Sequence, residues 1–94
     1  MSYRLSRSAD HDLDRIYEAG LMRIGRERAR QYVNELHQSM DLIAAFPRSA
    51  RERTEFDPPM RVQPVGVHLI IYRAEGEDVL ILRIRHGHED WQAG

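Results

Sequence analysis

The sequence contains neither cysteine nor lysine, although it carries 14 basic residues, all of them arginine. Without cysteine, the chain can form no disulfide, thiolate nucleophile or cysteine-ligated metal site. Without lysine, a lysine general base or Schiff base is excluded. A chain that lacks cysteine suits a reducing compartment, and we expect it to be cytoplasmic.

Long hydrophobic runs and a strong net charge are also absent. The N-terminal residues are charged from Arg4 onward, with no apolar stretch that resembles a signal peptide, and nothing later is long enough to span a membrane. We therefore expect no membrane association. The formal net charge is only −1, so any nucleic-acid contact must be local, and no direct sequence-specific binding of nucleic acid is expected.

The first half of the chain predicts a short strand and a helical hairpin. The alternation of residues 3–6 favours a strand, and Ser8 stands where the N-cap of a first helix is expected. Apolar residues then recur at steps of three and four up to Gly25, which is the predicted stop. The same period continues from Arg26 to Ala45, and Pro47 ends it. Because the connection is so short, the helices must be antiparallel.

The second half predicts a loop over residues 47–59 and then three strands, over residues 60–65, 67–74 and 78–86. Pro64 suggests that the first of these is an edge strand or stops early, and the two-sided apolar pattern of the second suggests a central strand. Residues 1–94 therefore predict a single domain of the α+β class, in the order β-α-α-β-β-β. The antiparallel-rich sheet carries the helical hairpin on one face.

The alternation of the last strand predicts which of its side chains meet the helices. One face is predicted to pack on the helices, and it carries Leu80, Leu82, Ile84 and His86. The opposite face becomes polar toward its end, and it carries Val79, Ile81, Arg83 and Arg85. In a domain this small that second face should be partly uncovered, so a groove there could be lined by Ile70, Tyr72, Val79 or Ile81.

Several motifs follow one another in a recognisable order. They are a YxLS strand at 3–6, AxxDLxxI from Ala9 to Ile16, AxxYVxxL from Ala29 to Leu36, the pair Phe46 and Pro47, and a terminal ILRIRH. In this order and spacing, the chain resembles the ParE toxins of the RelE/ParE superfamily over nearly its whole length. The resemblance implies a bacterial type II toxin that inhibits DNA gyrase by binding, needs no cofactor, and forms a hetero-oligomer with a ParD-type antitoxin.

Polar residues at two places are candidates for binding a gyrase or antitoxin surface. Arg23 and Arg26 belong to an arginine cluster at the helix junction, and the remaining candidates surround the end of the last strand: Arg83, Arg85, His88 and Trp91. Each also has a purely structural interpretation. The strand arginines could be a solvated face that discourages edge pairing, and Trp91 could cover the end of the sheet.

The RelE branch of the superfamily suggests an alternative, an endoribonuclease that cleaves mRNA without a metal ion. Such chemistry requires a base, an acid and cations around the scissile phosphate. Arg61, Arg83 and His86 could supply part of such a site, with Glu55 as the base. His86 could instead be a strand-end histidine that bonds a backbone group. A third possibility is a degenerate module that binds an antitoxin but is no longer toxic.

Two histidines near the end of the chain raise the question of metal binding. His86 and His88 are two residues apart and could share a strand face, with Glu89 or Asp90 as an oxygen ligand. No second ligand cluster accompanies them, so we expect no metal site. Residues 10–14 resemble a calcium loop only superficially, because Arg15 stands where the turn glycine is required.

Overall fold

A computed structural model describes residues 2–87 and shows two helices packed on a five-stranded mixed sheet. The elements in chain order are β1 (Tyr3–Leu5), α1 (Arg7–Ile24), α2 (Arg26–Ala45), β2 (Glu52–Arg53), β3 (Met60–Val65), β4 (His68–Glu75) and β5 (Asp78–His86). The strand order is β1-β5-β4-β3-β2, in which β1 is parallel to β5 and the other neighbours are antiparallel. The predicted α+β class and β4 as the central strand are confirmed.

The first helix begins two residues earlier than the sequence predicts. Its N-cap is Ser6, whose Oγ accepts a hydrogen bond from Ala9 N at 3.0 Å, so the prediction of Ser8 is wrong. Ser6 is extended because it still belongs to the sheet: its N–H donates to Ile81 O at 2.9 Å and its Oγ donates to Leu82 O at 2.7 Å. One residue therefore ends the β1 ladder and caps α1.

The helical hairpin is as predicted. Gly25 separates α1 from α2 with φ of +86°, a backbone conformation that side chains disfavour. Further along α1, a Cβ placed on Gly20 would lie 2.9 Å from the Cβ of Ala29. The absence of a side chain at position 20 thus allows the two helices to approach closely near their junction.

The sheet differs from the prediction beside the long loop. Residues 47–59 are not wholly irregular, since β2 pairs Glu52 with Arg61 and Arg53 with Met60. Consequently β3 is not an edge strand. Pro64 lies beyond the end of β2, where no outer neighbour needs a backbone donor from β3, and this explains why a proline is tolerated there.

A register shift in β5 overturns the predicted assignment of its faces. Tyr72 pairs with Ile81 whereas Ile71 pairs with Arg83, so Leu82 is an extra residue in the ladder. Such a bulge changes the alternation by one position. The prediction that Val79 and Ile81 turn away from the helices is therefore wrong.

The core instead joins both helices to β4 and β5. Val79 and Ile81 are fully buried there, and Ile84 on the far side of the bulge joins them. Their neighbours in the same cluster include Ala9, Leu13, Leu36, Met40, Ile43, Ile70 and Tyr72. The groove predicted along Ile70, Tyr72, Val79 and Ile81 is therefore absent, because all four side chains are buried.

No helix within residues 2–87 has the length and apolar character that crossing a membrane requires.

Candidate functional site

An open groove of about 470 Å³ lies between the second half of α1, the start of α2 and the ends of β4 and β5. Its apolar walls include Ile16, Ala19, Ile24, Val67 and Ile84. Ile24 and Val67 remain 48% and 56% exposed, so both side chains are accessible to a partner. Four arginines line the same groove: Arg15, Arg23, Arg83 and Arg85. An apolar surface bordered by guanidinium groups suits an amphipathic segment that carries carboxylates.

One end of the groove is formed by a tyrosine and two histidines. Tyr32 Oη donates to Val65 O at 3.3 Å and lies 2.6 Å from His68 Nδ1. His68 in turn meets His86 edge to face, with ring centroids 5.4 Å apart. Burial raises the pKa of Tyr32 above the usual value for a phenol, so its hydroxyl remains protonated at neutral pH.

The position of Tyr32 depends on the turn between β3 and β4. Gly66 has φ of +58°, and a Cβ at this position would lie only 2.8 Å from Tyr32 Oη. A larger residue would therefore push Tyr32 away from His68 as well as straining the backbone. The next residue, Val67, accepts a hydrogen bond from Gly87 N at 2.7 Å, which joins this turn to the end of β5.

Asp12 anchors α1 to β5 beside the groove. Its carboxylate accepts Arg83 Nε at 2.8 Å, Arg83 Nη2 at 3.0 Å and Ile84 N at 2.9 Å, although Asp12 is only 7% exposed. Burial alone would raise the pKa of this carboxyl, but the hydrogen bonds from Arg83 and Ile84 outweigh burial and hold the pKa below its usual value. Asp12 thus stays ionised and fixes the orientation of the Arg83 guanidinium.

The structure places some of the predicted binding residues together. Arg23, Arg83 and Arg85 line the groove, and they come from α1 and β5 respectively. Arg26 is exposed at the start of α2 and does not line it. His88 and Trp91 lie outside the described residues.

Only two of the four residues of the alternative nuclease site lie together. Arg83 and His86 share the groove, but Arg61 and Glu55 do not line it. Arg61 is on β3, two strands away from β5, and its guanidinium donates to Ala50 O and lies 3.9 Å from Glu52. Arg83 is directed to Asp12 of α1. The two guanidinium groups therefore point to different partners.

Sequence reasoning missed the roles of Asp12, Tyr32 and His68. Tyr32 falls on the apolar stripe of its helix, where an aromatic residue ordinarily belongs to the core, and His68 is a polar residue at the start of a central strand. Asp12 did carry a signal, because it lies between Ala9 and Leu13 on the buried side of α1, where a carboxylate requires a partner. Within residues 2–87, no group of three or more histidine or acidic side chains is placed to hold a metal ion.

Comparisons with known proteins agree with this architecture. A family model described as "ParE toxin of type II toxin-antitoxin system, parDE" matches residues 3–91. Toxin ParE1 of Mycobacterium tuberculosis is 35% identical over 89 residues, which cover 94% of this chain and 91% of that protein. Toxin ParE3 of Caulobacter vibrioides is 34% identical over 82 residues, which cover 87% of this chain and 82% of that protein.

A solved structure shows the same arrangement of elements. It is described as a chromosomal ParDE TA system from P. aeruginosa, and the matched chain superposes with a TM-score of 0.79 at 26% sequence identity. The match covers 92% of this chain and 95% of that chain.

Proposed function

Because the chain belongs to the ParE toxin family of type II toxin–antitoxin systems, we propose that it inhibits DNA gyrase by binding and that a ParD-type antitoxin neutralises it. The cytoplasm, where gyrase acts, is its proposed location. The observation that carries this proposal is the groove, in which an exposed apolar surface is bordered by four arginines. Such a surface is suited to recognition of another protein.

The antitoxin is the proposed occupant of the groove. The antitoxin segment that occupies the groove should place aliphatic side chains against Ile24 and Val67. It should place carboxylates beside Arg23 and Arg85. Full burial of one exposed large aliphatic side chain contributes about 1.5–3 kcal/mol. Ile24 and Val67 are already about half buried, so the two together contribute about 1.5–3 kcal/mol to the binding free energy. The arginines should raise the association rate and the specificity for a partner more than they raise the affinity. Gyrase is proposed from the family, and the same surface is a candidate for its recognition.

The arrangement of the arginines favours binding over RNA cleavage. A nuclease site needs cations that converge on one phosphate. Arg83 is held by a buried carboxylate and Arg61 donates to a loop carbonyl, so these guanidinium groups do not converge. The chain also has no lysine. The observation that keeps the RelE-like nuclease as a second candidate is that His86 and Arg83 share the groove.

Two assays run side by side test the proposal. Purified gyrase is assayed for supercoiling and for cleaved DNA with and without the toxin, and translating ribosomes are assayed for cut mRNA. We expect inhibited gyrase, intact mRNA, and full rescue when a cognate ParD-type antitoxin is added. Cut mRNA with fully active gyrase would refute the proposal and favour the nuclease.

Substitution of one histidine separates the two candidates further. We expect His86→Ala to retain gyrase inhibition, because no proton transfer is required of a binder. Loss of toxicity in this variant, with antitoxin binding unchanged, would indicate chemistry at His86. His37→Ala is the matched control, since His37 bonds Tyr3 at 2.9 Å and does not line the groove.

A further inference from the structure

A second cleft, of about 250 Å³, adjoins the groove where the first half of α1 faces Arg83. It is lined by Arg7, Ser8, His11, Asp12, Arg15 and Arg83. In contrast to the groove, it is lined by no aliphatic residue. Three guanidinium groups and an imidazole surround the cleft, and its single carboxylate, Asp12, is already bonded to Arg83. We call this feature the arginine cleft.

Two arginines and a histidine of α1 form a regular line. Arg7, His11 and Arg15 follow one another at intervals of four residues, so they lie along one side of the helix at steps of about 6 Å. Asp10 and Asp14 belong to the same stretch of α1 but do not line the cleft. Within residues 2–87, neither Arg7 nor Arg15 has a carboxylate within salt-bridge distance.

The position of Arg7 is unfavourable in the isolated toxin. Arg7 occupies the first turn of α1, where the positive end of the helix dipole disfavours a cation. A bound anion would relieve this effect. Because Arg15 and Arg83 line the same cleft, a ligand that carries several negative charges can contact all three guanidinium groups.

We propose that the arginine cleft binds consecutive phosphates of a nucleic-acid backbone. Guanidinium groups match the oxygens of a phosphate in a bidentate manner. Three guanidinium groups around one cleft fit a polymer whose charges repeat, and the absence of aliphatic residues from its lining disfavours a peptide anchored by aliphatic side chains. Contacts to phosphates carry no sequence information, so the binding is independent of sequence. The cleft adjoins the groove proposed for gyrase and antitoxin and shares Arg15 and Arg83 with it, whereas Arg7 and His11 line the cleft alone.

The buried carboxylate limits the strength of the site. Asp12 fixes the Arg83 guanidinium but also cancels part of the local positive charge, and the whole chain has a net charge of −1. The affinity therefore depends on a few local contacts and should fall steeply with salt. For about three phosphate contacts on a single strand, the expected log–log salt slope is about −2, a loss of about 20-fold between about 50 and 200 mM salt.

Fluorescence anisotropy with the full-length toxin and a short labelled single-stranded oligonucleotide of mixed sequence tests the proposal. The variant Arg7→Gln with Arg15→Gln should bind at least tenfold more weakly at low salt, and its slope should fall to about −1. The control is Arg28→Gln with Arg48→Gln, which removes the same charge from two exposed arginines outside the cleft. It should bind within about twofold of the parent protein.

Three results would overturn the proposal: no salt-dependent binding by the parent protein, equal loss in both double variants, or equally effective competition by polyglutamate at the same charge concentration. The last result would assign the cleft to carboxylates of a protein partner. Circular dichroism and urea unfolding of each variant show whether it is folded. None of these results depends on whether gyrase is inhibited, so a failure here is distinct from a failure of the proposed function.

Discussion

Replacement of Asp12 by alanine should be among the most damaging single changes to the stability of this toxin. The substitution removes three hydrogen bonds from a carboxylate that is only 7% exposed. Leaving Ile84 N–H without its partner costs about 1–3 kcal/mol. Losing the ion pair adds about 1 kcal/mol, because the Arg83 side chain is 39% exposed and its charge is partly screened. We therefore expect a total loss of about 2–4 kcal/mol.

A double-mutant cycle measured by urea unfolding apportions this energy. The variants are Asp12→Ala, Arg83→Ala and the double variant, and we expect a coupling energy of about 1–2 kcal/mol. Asp14→Ala is the control, since this exposed aspartate of α1 has no ion pair within residues 2–87. It should change the free energy of unfolding by less than about 0.5 kcal/mol.

The pH dependence gives an independent check on Asp12. Its folded pKa lies below the usual aspartate value of about 3.9, so ionised Asp12 contributes its full stabilisation above that value. The contribution is lost as the pH falls through the folded pKa. The stability difference between the parent protein and Asp12→Asn should thus be largest near neutral pH and shrink below about pH 4. A loss below about 0.5 kcal/mol in Asp12→Ala, or a difference that grows on acidification, would refute this account of Asp12.

Two further substitutions address the groove, each with a matched control. Gly66→Ala should lower the free energy of unfolding by about 1–2 kcal/mol more than Gly76→Ala, because both glycines have positive φ but only the first would collide with Tyr32. Equal losses by urea unfolding would exclude the collision. Ile24→Asp should weaken binding of the ParD-type antitoxin about 10- to 100-fold by titration calorimetry, because it removes an apolar contact. Leu42→Asp, on an exposed apolar residue outside the groove, should leave the affinity unchanged, and a similar loss in both would argue against this surface.

The sequence was sufficient to predict the helices and most strands because each follows a local period. The range Arg26–Ala45 for α2 and the range Asp78–His86 for β5 agree with the structure. The choice of Ser6 over Ser8 as N-cap was not predictable, because it follows from the hydrogen bonds that Ser6 makes to β5. The bulge at Leu82 likewise depends on pairing with a distant strand, and one extra residue reversed the predicted faces of Val79 and Ile81.

Part of the site was predictable for a similar reason. Arg23, Arg83 and Arg85 are candidates in the sequence because each is a charged residue near the point where an apolar pattern ends. All three line the groove. Tyr32 was not identified, because an aromatic residue on an apolar stripe is ordinarily core. Its role depends on the approach of a hairpin turn some thirty residues away, which no local pattern contains.

The start of α1 has a consequence for how the toxin behaves in solution. β1 pairs only with residues 79–81 of β5, so the remaining outer edge of β5 could otherwise pair with a strand of another molecule. Ser6 donates hydrogen bonds to the carbonyl oxygens of Ile81 and Leu82, and the Asp12 carboxylate accepts a hydrogen bond from Ile84 N–H. The start of α1 thus satisfies three backbone groups that could otherwise bond a strand of another molecule. A toxin that acts apart from its antitoxin gains from this arrangement, because part of that edge is covered by its own chain.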